Sequence, residues 1–129
     1  MIGRLTTFVI DCPDPQALAR FYSEVTGLPV TRVDDDGWVT IGAADDPAHP
    51  HVAFQPAPDH VPPQWPDPAH PQQMHLDIEV HDIGVAHEQV LAIGARYVPT
   101  EFRGFRVYLD PAGHPFCLVT AKPESSLGE

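Results

Sequence analysis

His75, Asp77, Glu79 and His81 alternate with Met74, Leu76, Ile78 and Val80 in the run QQMHLDIEVHD, residues 72–82. Imidazoles and carboxylates are the side chains that move protons and hold divalent ions. A strand sends successive side chains to opposite faces, so Met74, Leu76, Ile78 and Val80 are expected to form one buried row and the ionisable four the other. Such a polar row can serve solvent, a metal ion or a ligand pocket. His75 is the clear general-base candidate, and Asp77 or Glu79 shares its face and can support it. His75 and Asp77 are therefore the candidate catalytic pair.

The other titratable residues read differently. His81 precedes the helix cap Asp82 and is expected at the surface, while His87 falls in mid-helix and receives no role. His114, within Gly113-His114-Pro115, is expected to serve a turn. Asp34 to Asp36 and the pair Asp45 and Asp46 lack the ligand spacing of a calcium loop and read as solvated acidic loops. Cys12 and Cys117 are too few for a disulfide framework.

The elements that must position these residues come in two sets. Leu5 to Cys12 alternates as a strand, with Phe8, Ile10 and Cys12 against Thr7, Val9 and Asp11. Asp14 then offers an N-cap, Pro15 suits the first helical turn, Leu18, Phe21, Tyr22 and Val25 recur at helical spacing, and Gly27 stops the helix. The same grammar returns at 74–80, with Asp82 as cap, Ile83, Ala86, Val90 and Ile93 on one face, and Gly94 as the stop. The two caps lie 68 positions apart. At that offset Thr7 falls on His75 and Asp11 on Glu79, and the helices are expected to differ by one residue. Three short strands follow each helix, at 30–33, 38–41 and 51–55 and then at 95–98, 105–109 and 116–120. Asp34-Asp35-Asp36-Gly37 and Asp110-Pro111-Ala112-Gly113-His114 suit hairpins. Asp46-Pro47-Ala48-His49-Pro50 echoes the second of these turns, which would set Val52 at the position of Cys117.

Seven prolines between Pro56 and Gln73 exclude a helix or a central strand there and favour an extended, semi-rigid linker or lid. Trp65 within it either pins the linker to the body or forms an aromatic wall over a ligand. The 129 residues fit one domain, with module 1 at about 5–55, the linker at 56–73, module 2 at about 74–120 and a tail at 121–129. A formal charge of -11, with only 7 Lys and Arg, excludes a nucleic-acid partner and favours a cationic small molecule. There is no signal-peptide pattern, and no apolar run approaches the roughly 20 residues of a membrane span. A cytoplasmic protein without a membrane partner is expected.

The paired strand-helix-three-strand units, Phe21-Tyr22 followed by Gly27-Leu28-Pro29, and the segment Asp110 to Leu118 (DPAGHPFCL) together resemble the glyoxalase, bleomycin-resistance and extradiol-dioxygenase superfamily, also called vicinal oxygen chelate. Trp65-Pro66-Asp67-Pro68 and Pro71 to Asp77 (PQQMHLD) are similar to its glyoxalase-like subgroup, common in bacteria with high-GC genomes. The resemblance spans about residues 5 to 120. It implies an α+β fold of two βαβββ modules in one chain, with curved mixed sheets around a cavity and helices outside. Phe8, Ile10, Leu76, Ile78 and Val80 would face the helices, and Thr7, Val9, Asp11, His75, Asp77 and Glu79 the cavity.

In metal-dependent relatives the ligands come from the first strand of each module and the last strand of the second. Those positions carry Thr7, His75 and Cys117 here, and only His75 matches. A fourth position, mapped onto Val52, is apolar. Three protein ligands and an open position are the usual need of a catalytic ion, so the resemblance implies a degenerate metal site, incomplete unless Asp77, Glu79 or His114 reaches in. A His75-activated thiolate at Cys117 is a further alternative, and a buried, inert Cys117 a third. The expected ligand pocket comprises Thr7, Asp11, Trp38, Trp65, His75, Asp77, Glu79 and Cys117. The reading is a small-molecule binding protein, sequestering a cationic or aromatic compound, with no cofactor expected. The alternative is a metal-dependent lyase, isomerase or dioxygenase using His75. A homodimer is expected, because relatives of this size often pair modules across a two-fold axis.

Overall fold

The structure, a computed structural model, describes residues 4–42, 49–99 and 104–120. Asp45, Asp46, most of the echoed turn and the tail lie outside the described residues. The chain forms two compact units, Met1–Val61 and Pro62–Glu129, so the expected linker contributes to both.

The first unit runs β1 (Thr7–Cys12), α1 (Pro15–Thr26), β2 (Val30–Val33), β3 (Val39–Ile41) and β4 (His51–Pro56). The second runs β5 (Leu76–Val80), α2 (Ile83–Ala92), β6 (Arg96–Val98), β7 (Phe105–Leu109) and β8 (Pro115–Thr120). Each builds a four-stranded mixed sheet, ordered β1-β4-β3-β2 and β5-β8-β7-β6. In both, the first and last strands are parallel neighbours and the remaining pairs are antiparallel. The α+β fold of two βαβββ modules is thus present, and the sheets do not close into a barrel. Among the described residues no helix is long and apolar enough to cross a membrane.

Local chemistry accounts for the elements. The Asp14 carboxylate accepts from the Ala17 N–H, and Gly27 ends α1 in the left-handed region at φ 75°. Asp82 accepts from the N–H groups of Gly84 and Val85 at 2.9 and 3.1 Å. Helix α2 has 10 residues against 12 in α1, a difference of two instead of one, because its C-cap is Ile93 and Gly94 lies one position beyond.

Tyr22 of α1 stacks on Phe54 of β4 at 5.9 Å, above a floor containing Val39 and Ile41. Tyr108 stacks on Phe116 at 5.5 Å in the second sheet, beneath Ala86 and Val90 of α2. Each fully buried aliphatic or Phe side chain contributes roughly 1.5–3 kcal/mol. These contacts identify the helix-facing side of each sheet. Phe54 is paired with Ile10, so Phe8 and Ile10 share that side, although Phe8 remains partly exposed on an edge strand. Phe116 is paired with Leu76, which puts Leu76, Ile78 and Val80 on the helix side and Asp77 and Glu79 on the other.

Three expectations need correction. Met74 lies before β5 and is 66% exposed, because alternation buries a side chain only while the strand is paired. Phe8 pairs with Val52 and Leu76 with Phe116, so with the caps aligned Val52 matches Phe116, and Ala53 matches Cys117. The turn echo displaced that register by one residue, which moves a side chain to the opposite face. Part of the linker, residues 64–70, is also folded into turns instead of extended. Gln64 N–H donates to the His70 carbonyl at 2.7 Å, Asp67 N–H to the Gln64 carbonyl and His70 N–H to the Asp67 carbonyl.

Candidate functional site

The parallel ladder between β5 and β8 sets Asp77 directly opposite Cys117. His75 sits immediately before β5, two positions from Asp77, and its Nε2 lies 3.3 Å from Asp77 Oδ1. The result is a cluster of one imidazole, one carboxylate and one thiol whose ligating atoms all lie within 4.8 Å of one another. Two of its members are open to solvent, with side-chain exposures of 41% for His75 and 59% for Asp77. Cys117 is 7% exposed, held by a strand that carries Phe116 and Leu118 into the core on its other face.

The electrostatics of Cys117 follow from this placement. Burial pushes its thiol up to about 11, and the neighbouring Asp77 carboxylate adds to the rise by its charge and by accepting the thiol hydrogen bond. A pKa four units above neutrality leaves roughly one thiolate in ten thousand. The expectation of a thiolate activated by His75 is therefore corrected: burial first, and then the Asp77 carboxylate beside it, keep the Cys117 thiol protonated.

The remaining expected residues are positioned as follows. Glu79 is exposed on the same side of the sheet as Asp77. Thr7, Val9 and Asp11 occupy the corresponding side of β1 in the first unit. Trp38 is half-buried, and its Nε1–H donates to Thr40 Oγ1 at 3.0 Å, which fixes the indole on the non-helical side with Thr40. Trp65 is half-buried within the second unit. His114 serves the β7–β8 turn through its backbone: Asp110 N–H donates to its carbonyl at 2.8 Å.

Two residues carry more than the sequence indicated. Asp110 is 2% exposed, and its Oδ1 accepts from the N–H groups of Ala112 and His114 at 2.9 and 3.0 Å. The order Asp-Pro-Ala-Gly already carries the signal of such an Asx-type turn. His87, given no role above, has Nδ1 2.8 Å from the Tyr108 hydroxyl and stands edge-on to Tyr97. Its signal was its position one turn from the buried Ala86 and Val90 face, which only the packed sheet completes with a phenol.

Comparison with known proteins adds the following. The family model described as a glyoxalase-like domain matches residues 7–119. No curated protein matches the chain. Among solved structures, a glyoxalase/bleomycin resistance protein/dioxygenase family enzyme from Burkholderia phytofirmans is similar with a TM-score of 0.70 and 16% identity, over 93% of this chain and 100% of that one. The fosfomycin resistance protein FosX from Mesorhizobium loti is similar with a TM-score of 0.70 and 15% identity, over 100% of both chains. FosX from Listeria monocytogenes reaches 0.68 and 13%, over 96% of this chain and 98% of its own. At these identities the likeness concerns the fold.

Proposed function

The chain belongs to the glyoxalase-like domain family, and from that premise we propose that it binds a small organic molecule on the non-helical side of its sheets. The observation that carries this reading is the convergence of His75, Asp77 and Cys117 on that side of the second sheet. A polar cluster beside the apolar Val107 and Val119 supplies the few placed hydrogen-bonding groups that orient a ligand. Glu79 extends the cluster, and Thr7, Asp11 and Trp38 give the first module its own polar and aromatic surface.

The ligand class follows from charge. At -11 the field of the whole protein attracts cations and repels anions. Trp faces add roughly 0.5–2 kcal/mol for a cation, depending on desolvation. Sequestration of a cationic or polar aromatic compound is the reading that uses these features. In it, Cys117 acts as a neutral wall, and the exposed His75–Asp77 pair binds the polar end of the ligand.

A metal-dependent lyase, isomerase or dioxygenase is the second reading, favoured by the same three donors. Their chemistry fits a divalent ion: His75, Asp77 and Cys117 would hold it, and it would supply Lewis-acid polarisation of a substrate oxygen. Glu79 would then be the remaining carboxylate on that side, available to take a proton. The structural neighbours named above include both an enzyme and resistance proteins.

The test is a titration of matched cationic, neutral and anionic aromatics, followed by Trp fluorescence at low and high salt. The cation should bind best, weaken as salt shortens the Debye length towards ~3 Å at 1 M, and lose affinity in Asp77→Asn and Glu79→Gln. Tighter binding of the anion at low salt would refute the charge argument. Trp65→Phe separates the two roles of the linker: an unchanged affinity and an unchanged ligand-induced signal make Trp65 an anchor only.

A further inference from the structure

We infer that residues 62–75 form a lid, an Ω-loop that moves as one body about its seat on the β7–β8 turn and carries His75 onto and away from Asp77 and Cys117. The lid deepens the ligand reading above and rests on it for a purpose: it would decide when the pair that meets the polar end of the ligand is assembled. Pro62, Asp67 and Gly113 are then positioning residues for His75.

Both ends of this segment come to one end of the second sheet. Pro62 rests on Gly113, where a Cβ would meet Pro62 Cβ at 2.5 Å and Cγ at 3.3 Å, so only glycine leaves room for the seat. At the other end the β5–β8 ladder opens with Leu76 opposite Phe116. Gly113 lies at most roughly 11 Å of extended chain from Phe116. Residues 62–75 therefore leave and return to nearly the same place, and their length falls within the range of an Ω-loop. Between its ends the segment is stitched to itself. Gln64 N–H donates to the His70 carbonyl at 2.7 Å, His70 N–H to the Asp67 carbonyl at 3.0 Å, and Ala69 N–H to Asp67 Oδ1 at 2.9 Å. Pro62, Pro63, Pro66, Pro68 and Pro71 fix φ along it, so closing the loop orders few dihedrals that were free. Gln72, Gln73 and Met74 lack that restraint, and with Met74 66% exposed they form the second hinge. His75 follows them, one residue before the first ladder pair, so the loop sets its backbone position, whereas the ladder itself fixes Asp77 against Cys117. A cluster with two members held by a sheet and one carried by a loop can be taken apart. Closed, its polar atoms lie within 4.8 Å of one another and His75 stands against the thiol. Lifting the loop removes that imidazole and uncovers Cys117.

The experiment labels the full chain with iodoacetamide at one pH and reads Cys117 and Cys12 separately by mass spectrometry. Cys12, 0% exposed in the first unit, reports unfolding of the whole chain, and hydrogen exchange of the β8 amides reports unfolding of the second unit. Pro62→Gly removes the seat and adds freedom to the open loop. It should speed labelling of Cys117 by about fivefold or more, with Cys12 and the β8 amides unchanged. The His75 ring signal in NMR spectra should move in that variant while the signal of His87, on the helix side, stays. Pro58→Gly, the same change outside the loop, should alter Cys117 labelling by less than about twofold. An unchanged Cys117 rate in Pro62→Gly overturns the lid, as does a gain shared with Cys12 or the β8 amides, an equal gain in Pro58→Gly, or an unmoved His75 signal. Should Pro62→Gly fold poorly by circular dichroism, Asp67→Ala decides by the same measurements, because it unstitches the loop from within and leaves the seat. The aromatic titration is separate: intact aromatic binding beside an unchanged Cys117 rate refutes the lid alone, and absent binding beside a faster rate refutes the ligand reading alone.

Discussion

At Cys117 burial and one neighbour act in the same direction. Its thiol is pushed up to about 11 from 9.0, first by burial and then by Asp77. Between those two values the native state binds more protons than the unfolded state, so stability falls as pH rises. The stabilisation tied to the neutral thiol is complete below pH 9 and lost on passing 11. Cys117→Ala should therefore flatten the loss of stability between pH 9 and 11 relative to wild type, measured by urea unfolding at a series of pH values. Asp77→Asn should lower the thiol pKa only in part, because burial remains. Alkylation of Cys117 by iodoacetamide should accordingly begin at lower pH in that variant. Equal profiles for both proteins would mean that Asp77 does not act on the thiol.

Among the elements, the β7–β8 turn and the seat of α2 depend on single polar side chains. Asp110 satisfies two backbone N–H groups within the turn, and Gly113 follows at φ 91° with Pro62 against it. A Cβ at Gly113 would meet Pro62 Cβ at 2.5 Å, so this turn is also where the linker rests. Asp110→Ala should cost roughly 1–3 kcal/mol, since buried donors lose their acceptor. Hydrogen exchange should show the Ala112 and His114 amides opening first, and protection equal to wild type would refute the assignment. Tyr108 is fully buried, and burial raises its phenol above the ordinary value while Arg106 offsets part of the rise. It therefore remains a neutral hydrogen-bond partner for His87. Tyr108→Phe keeps the ring stack on Phe116 and loses the hydroxyl's bonds to His87 and Arg106, with an expected cost of about 0.5–1.5 kcal/mol for each in thermal or denaturant unfolding.

For the molecule as a whole, the repeat is the governing feature. Two units of one topology share a chain, and each leaves its first strand, β1 or β5, at a sheet edge. Exposed edges invite pairing with another chain unless they are covered, and a closed two-fold dimer is the commonest oligomer. We propose a homodimer, with a light-scattering mass about twice the 14.2 kDa of the chain. A mass of one chain at micromolar and higher concentration would refute it.

How much of this was written in the sequence depends on the range of the interaction involved. The helices, their caps Asp14 and Asp82, the stop at Gly27, the hairpin at Asp34 to Gly37 and the sides taken by Asp77 and Glu79 were legible. Each follows from backbone chemistry or side-chain alternation within a few residues. The repeat was legible because two copies of that local grammar recur in order. Tertiary structure alone decided that Asp77 faces Cys117, that Ala53 and not Val52 matches it, and that the Tyr108 phenol receives His87. These depend on inter-strand register and on packing across dozens of residues. In a parallel pair such as β5 and β8, no turn connects the strands directly to reveal the register. The physics that makes Cys117 neutral instead of reactive likewise appears only once the ladder has placed a carboxylate beside a buried thiol.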